Sequence, residues 1–397
     1  VGIIKMSTAR IAGVGMVKFS KPGQSEPYRV MASKAIKQAI QDAGIDYAHV
    51  QQAYASYIYG DSTCGQHALY DVGMTGIPVI NVNNNCSSGS TAIFLARQAV
   101  ASGAIDCALA FGFEEMQKGA LGSAWDDRES PFGPMTQALT DVSDAPEAPL
   151  ALRMFGQAGT AYIEKYNVNP NIFGKVSVKT RSHAVRNPYS LFDAPLSLED
   201  VMEHAPIIFP PHLTRLMACA PTCGAAAAII CSEAFALKHG IKASVEIVAQ
   251  SMVTDLADSW TDPINLIGAA MTQKAANQVY EESGLGPEDI QVVELHDCFT
   301  TNEVISYEAL GLCAEGEAEK FIDDKQNTYG GKFVVNPSGG LMSKGHPIGA
   351  TGLAQCAELV WHLRGQAGDR QVQGANVAMQ HNLGLGGAAV VTLYRNV

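Results

Sequence analysis

The chain has no run in which Lys or Arg gathers. Its 397 residues hold 27 basic and 39 acidic side chains, a net charge of −12. An acidic chain without a basic stretch lacks the electrostatic footprint expected of a nucleic-acid or anionic-membrane binder. Charge of either sign is scarce, at 17% of residues. No apolar run approaches the ~20 residues that a membrane-spanning helix requires. The nine cysteines show no even, regular spacing, which argues against a disulfide-stapled secreted scaffold and for free thiols in a reducing compartment. Cys219 and Cys223 lie close together, but no further Cys or His completes a zinc pattern. Val1–Lys5 is too short for a secretory apolar segment, Met6 fits a natural start, and Tyr394-Arg395-Asn396-Val397 is not a Ser-Lys-Leu address. What is plentiful is apolar and small: 47% hydrophobic residues and 38 Gly, ample material for a core and too long for one ordinary domain.

Against that background one cysteine stands out. Cys86 lies in Asn83-Asn84-Asn85-Cys86-Ser87-Ser88-Gly89-Ser90, after the apolar run Ile77–Val82 and before an Ala-rich stretch, Gly89 to Ala99. The pattern predicts strand, tight turn and helix, with the sulfur at a helix start. Unpaired N–H groups and the positive end of the helix dipole lower a thiol pKa there, and the thiolate is the nucleophile. A buried structural Cys is the ordinary alternative. Three amides before it and two hydroxyls after it do not suit an apolar interior.

A second segment repeats the first. His346-Pro-Ile-Gly349-Ala-Thr351 aligns with Cys86-Ser-Ser-Gly89-Ser-Thr91 at an offset of 260. Each has its reactive residue first, then Gly and Thr at matching positions, and each leads into an Ala-rich helix. Upstream, Met31, Lys34, Ala35, Gln38, Gly44 and Gln51 match Met271, Lys274, Ala275, Gln278, Gly284 and Gln291 at an offset of 240. Together these argue for a duplicated half. A pseudo-twofold axis would set two equivalent helix N-termini face to face, one carrying a thiol and the other an imidazole: a nucleophile and its base.

Val292-Val293-Glu294-Leu295-His296-Asp297-Cys298-Phe299 reads as a strand, with His296 and Cys298 on one face at its C-terminal end and Asp297 on the other. Val377–Gly387 reads as a strand entering a Gly-rich turn near Gly384, whose N–H groups could meet an oxyanion. The order nucleophilic Cys, His-Asp-Cys-Phe, Gly-His-Pro, Gly-rich turn resembles the thiolase superfamily, and within it the sterol carrier protein x type, from about Ile11 to Tyr394. Ordinary thiolases carry Asn-Glu-Ala-Phe in place of His296–Phe299 and a second catalytic Cys in the last turn; here that turn is His381-Asn382-Leu383-Gly384.

The resemblance implies an α/β fold of five layers (α-β-α-β-α) built from two duplicated halves with an inserted loop domain. The boundaries follow as 1–118 for the N-terminal half, completed by 217–244, 119–216 for the insert and 245–397 for the C-terminal half. Alternating β and α patterns in the first half predict a parallel sheet covered on both faces. Within the insert, Asp126–Glu129 and Asp144–Pro149 read as loops, Leu152–Tyr166 and Asn171–Asn187 as helices. The resemblance also implies a 3-oxoacyl-CoA thiolase, with straight, 2-methyl-branched or sterol-derived acyl chains. Cys86 is its nucleophile, His346 the base, Cys298 the acid for the α-carbon, His296 an oxyanion donor and Gly384 part of the oxyanion turn. Met154, in Met154-Phe155-Gly156, resembles the family's substrate-covering segment; a Met on an amphipathic helix face is the alternative. Coenzyme A is a substrate, and neither metal nor other cofactor is expected. The implied partners are acyl-CoA, CoA and further copies of the chain, as a homodimer or homotetramer. The implied compartment is the bacterial cytoplasm, or the peroxisome or mitochondrial matrix of a eukaryote. Cys64, Cys107, Cys231, Cys313 and Cys356 are expected to be structural, Lys344 a solvated charge, and His67, His183, His204, His212, His239 and His362 without a role. Where the family has Asp-Gly-Ala-Ala this chain has Cys223-Gly224-Ala225-Ala226. Three rivals remain: a decarboxylating ketoacyl synthase, which has no use for Cys298; a steroid side-chain aldolase, which lacks the nucleophilic Cys; and a lipid-binding protein without catalysis.

Overall fold

A computed structural model describes residues 8–119, 121–123, 125–143 and 146–397. Val1–Lys5, Met6 and the start of the Asp144–Pro149 loop lie outside the described residues. Ten strands form one sheet. They are β1 (Ala9–Met16), β2 (Gln52–Ser56), β3 (Val79–Val82), β4 (Cys107–Glu114), β5 (Gly224–Ser232), β6 (Val245–Val253), β7 (Val292–Glu294), β8 (Val334–Val335), β9 (Val377–Gly384) and β10 (Ala388–Asn396). The principal helices are α1 (Tyr28–Ala43), α2 (Ser88–Ala101), α3 (Leu150–Tyr166), α4 (Asn171–Ala184), α5 (Ala269–Ser283), α6 (Thr300–Ala309) and α7 (Thr351–Leu363).

The sheet order is β8-β7-β9-β10-β6-β1-β5-β4-β2-β3. Read outward from the middle, each half lays down its first, fifth, fourth, second and third strand, so the duplication read from scattered identities is a duplication of topology. The halves join edge to edge where Arg10 pairs with Glu246 and Ile11 with Val245 in antiparallel register. The sheet is mixed, which corrects the expectation of a parallel one. β2 runs parallel to β3 and β4, but β5 returns antiparallel between β4 and β1. The second half does the same without an insert: β10 returns from β9 by a tight Gly-rich turn and pairs antiparallel with β9 and β6, a hairpin return that needs no crossover and so no parallel pairing.

Alternation along the strands builds the layers. In β4, Leu109, Phe111 and Phe113 face α1, while Ala108 and Ala110 face α2 and α7. The apolar residues of α2 and α7 share one core with strands of both halves, so these two helices lie between the half-sheets. α5 and α6 cover the outer face of the second half. This is the α-β-α-β-α sandwich that the resemblance implied. Between β4 and β5 the chain carries α3, α4, a short helix (Gly133–Val142) that the sequence reading missed, and a two-stranded hairpin.

The central helices cross at their first turns with almost nothing between them. A Cβ on Gly352 would lie 2.2 Å from the Ser90 backbone nitrogen, and one on Gly89 would lie 2.9 Å from the Gly352 nitrogen. Backbone meets backbone, and no side chain can swing away to make room. Gly352→Ala should therefore cost about 1–3 kcal/mol or more, measured as a lower urea midpoint at unchanged slope. An unaltered midpoint would show that the crossing can relax.

Candidate active site

The polar residues around Cys86 are used up in shaping a turn. Asn85 N–H donates to Asn83 Oδ1 at 3.1 Å, and the Ser87 and Ser88 hydroxyls donate to the Asn84 and Asn85 carbonyls at 2.8 and 2.7 Å. Asn85 sits at φ +49°, the left-handed region that Asn tolerates. Gly345, the residue before His346, likewise has a positive φ of +124°. The matched threonines explain the repeat. Thr91 and Thr351 each donate back to the carbonyl four residues earlier, at 3.0 and 3.1 Å. Thr91 then accepts from Asn84 Nδ2 at 3.1 Å, whereas Thr351 Oγ1 lies 2.7 Å from His346 Nδ1. With its only hydrogen given to Pro347, the Thr351 hydroxyl accepts, so His346 carries its proton on Nδ1. His346 Nε2 is buried, has no partner among the described residues, and holds the lone pair of a base.

β7 stops at Glu294, so His296 and Cys298 do not share a strand face as expected; they lie in an irregular segment. The strand ends because its next backbone groups are taken by side chains and by a neighbouring segment. Leu295 N–H donates to Asn336 Oδ1 at 2.9 Å, His296 N–H approaches His381 Nδ1 at 3.5 Å, Asn302 Nδ2 donates to the His296 carbonyl, and Cys219 N–H donates to the Cys298 carbonyl at 2.9 Å. Asp297 accepts from Leu341 N–H at 2.7 Å and holds the segment from behind. Such tertiary satisfaction is what lets irregular backbone sit in a core.

Cys86, His296 and His346 converge: their ligating atoms all lie within 4.8 Å of one another. The two rings meet edge to face with centroids 5.1 Å apart. A thiol and two imidazoles are also donors that zinc accepts. Cys86 and His346 each keep 5% of their surface, and Cys298 keeps 6%. Burial first, with Cys219 and Glu114 adding to it, pushes the Cys86 thiol up, which overturns the expectation of a lowered thiol. Removing water from the sulfur outweighs the helix start. Burial holds His346 down to about 3 and His296 well below its ordinary value. The resting pair is neutral thiol and neutral imidazole. Cys298 is pushed well above its usual range by burial, with Cys219 and Cys86 the next largest influences.

Gly384 touches the nucleophile turn directly: a Cβ there would lie 2.2 Å from the Asn84 carbonyl oxygen. Met154 is fully buried on α3, where its neighbour Phe155 stacks on Phe299 with centroids 4.5 Å apart, next in sequence to Cys298. Lys344, expected in solvent, is buried 3.8 Å from Glu358. The segment between Gly339-Gly340 and Gly345 is buried and packs against α4 and α7, which takes Lys344 out of solvent. All nine cysteines are free. Three residues escaped the sequence reading. Cys219 reaches the site through pairing of Ala218 with Phe299. Glu114, pushed up to about 7 by burial, accepts from Ile58, Tyr59 and Gly349 N–H groups and so ties the His346 turn to the first half. Asn382 donates to the Cys86 carbonyl at 3.0 Å and lies 3.0 Å from His296 Nδ1. The signal for Asn382 was the polar run Gln380-His381-Asn382 inside an otherwise apolar strand.

Comparison with known proteins agrees with this architecture. Residues 9–200 match the family "Thiolase, N-terminal domain" and residues 258–394 match "Thiolase C-terminal domain-like". Sterol carrier protein 2 of Rattus norvegicus is 53% identical over 97% of this chain and 71% of its own length. Non-specific lipid-transfer protein-like 2 of Caenorhabditis elegans is 46% identical over 97% and 95%. An acetyl-CoA acetyltransferase of Methanothermobacter thermautotrophicus is 32% identical over 98% and 100%. In fold, the chain is similar to a solved Ltp2-ChsH2(DUF35) aldolase (TM-score 0.83, 24% identity, 99% of each chain). It is also similar to human mitochondrial 3-ketoacyl-CoA thiolase (TM-score 0.74, 16% identity, 99% and 100%).

A neutral resting pair has a measurable consequence. Iodoacetamide alkylation of Cys86 in the free protein, followed by peptide mass mapping, should rise continuously from about pH 6 to about pH 10. A plateau at neutral pH would mean a thiolate–imidazolium pair instead.

Proposed function

The chain belongs to the thiolase family, and from that premise we propose that it cleaves 3-oxoacyl-CoA with coenzyme A through an acyl-cysteine. The observation that carries this reading is Cys86 grouped with His296 and His346 within 4.8 Å, His346 offering an unpartnered Nε2. His346 Nε2 takes the proton of Cys86 as the sulfur adds to the 3-keto carbon. The bond between the α-carbon and that carbon breaks, the acyl group stays on Cys86, and the departing enolate takes a proton from Cys298. Incoming CoA gives its thiol proton to Cys298 and attacks acyl-Cys86; the Cys86 thiolate leaves and recovers its proton from His346. His296 and His346 stabilise the enolate oxygen, and N–H groups of Cys86 and the turn near Gly384 stabilise the tetrahedral oxyanion. One such donor is typically worth about 3 kcal/mol of barrier. Met154 and the described residues of the segment 119–216 form the cover on the acyl side, where loops store specificity. The methanogen relative, an acetyl-CoA acetyltransferase at 32% identity, supports the reaction class; the solved thiolase and the aldolase, both below 25% identity, speak to the fold.

The decarboxylating reading shares Cys86, His296 and His346, and Cys298 separates the two. Cys298→Ala should abolish thiolysis of a 3-oxoacyl-CoA and exchange of the acetyl-CoA α-protons. Acetyl transfer from acetyl-CoA to Cys86, found by peptide mass mapping, should survive. A variant that folds and keeps near-normal thiolysis sinks the mechanism, and malonyl-CoA then becomes the substrate to try.

We also propose self-association through β3. It is the outer edge of the sheet, with Asn81 exposed and Val79 and Ile80 half-buried, and a bare edge strand is a template for another strand. Antiparallel pairing about a twofold axis closes it, giving a dimer or a dimer of dimers. Light scattering at micromolar concentration should find at least twice the monomer mass; a monomer contradicts the proposal.

A further inference from the structure

A neutral imidazole has one donor and one acceptor nitrogen, and which is which follows from its partner. For His296 that partner is Asn382, whose own orientation is set from two directions. On one side its Nδ2 lies 3.0 Å from the Cys86 carbonyl, which can only accept. On the other its Oδ1 receives the Ser90 hydroxyl at 2.8 Å. Ser90 is turned that way because Gln380 Nε2 donates to its oxygen at 2.8 Å. Gln380 is turned in its turn by the Gly352 carbonyl, which accepts from the same Nε2 at 2.6 Å, and by Tyr394, whose hydroxyl donates to Oε1 at 2.6 Å. Tyr394, Gln380, Ser90, Asn382 and His296 are all essentially buried, so no water competes for these bonds. Two backbone carbonyls, in different elements, give the whole series one direction.

The second Asn382 Nδ2 hydrogen then points to His296 Nδ1 at 3.0 Å. We infer that Asn382 is a positioning residue that holds His296 as the Nε2–H tautomer, making it a hydrogen-bond donor in the reaction while Thr351 holds His346 as the base. His296 Nε2 has no hydrogen-bond partner among the described residues, so this N–H is available to an oxyanion. The same amide carries the Cys86 carbonyl, so the nucleophile turn and the donor ring are registered by one side chain. The catalytic consequence rests on the thiolase reading; the tautomer does not.

The test uses full-length protein labelled with 15N-histidine. Long-range proton–nitrogen correlation spectra, with the His296 signals assigned by their loss in His296→Gln, should show a proton on Nε2 and none on Nδ1. A proton on Nδ1 in the unmodified protein overturns the inference; if His296→Gln does not fold, the His296 signals are assigned instead by through-bond correlation to the backbone of uniformly labelled protein. Asn382→Asp presents an acceptor instead of a donor and should move the proton to Nδ1. If it does not fold, Ser90→Ala, which frees the Asn382 amide, should give mixed tautomers. In thiolysis, Asn382→Asp should lower kcat about 100-fold or more with little change in KM, the loss expected for one oxyanion donor. An Nε2–H ring in a protein without thiolysis would leave the inference standing and remove the functional reading. An Asn382→Asp variant with the proton moved and kcat unchanged would remove the catalytic consequence.

Discussion

The contact of Gly89 with Gly352 is the constraint on which the site depends. Two helix starts meet backbone to backbone, with a Ser90 nitrogen where a Cβ of Gly352 would have to go. Because each helix starts a short turn after its reactive residue, at Ser88 after Cys86 and at Thr351 after His346, the closeness of the helix starts becomes the closeness of Cys86 and His346. The same crossing lets a Gly352 carbonyl and a Ser90 hydroxyl meet Gln380, which brings the strand carrying Asn382 into register with both. A larger residue at the crossing would force apart the two helix starts that hold the reactive residues together.

The site is dry and uncharged at rest. Burial raises the thiols and lowers the imidazoles, so charge appears only when a substrate carbonyl is there to receive it. In such surroundings a hydrogen bond to a developing oxyanion is stronger than in water, and an unmatched polar group is costlier. That explains why so much of the interior around the site is polar and paired. Asn336, Asn302, His381 and Asp297 each hold a backbone group of the irregular 295–298 segment or of the helix turn behind it. An irregular stretch whose backbone groups already have partners places His296 and Cys298 in directions that the alternation of a regular strand does not allow.

Much of this was legible beforehand, and the places where it was not share a cause. The Cys86 and His346 turns were readable because local chemistry shapes them: amides and hydroxyls that cap a turn, and a Thr that bonds back to its own helix start. α1 follows its periodicity from Tyr28 to Ala43. The end of β7 was not readable, since the groups that take its hydrogen bonds lie 6 to 85 residues away in Asn302, Asn336, His381 and Cys219. Burial of Lys344 and the rise of the Cys86 thiol were missed for the same reason. Both depend on what covers the residue, and the covering residues are distant in the chain.

The amino-acid sequence by itself determined which residues could react, that they came in two matching copies, and the family to which both belong. These follow from residue type and spacing, which need no partner. Only the tertiary structure decided that His296 and His346 are neutral rings held in opposite tautomers, and that Asn382, Cys219 and Glu114 belong to the same neighbourhood. A tautomer is set by the atom opposite the ring and a pKa by the water excluded from it, and the folded chain alone supplies both.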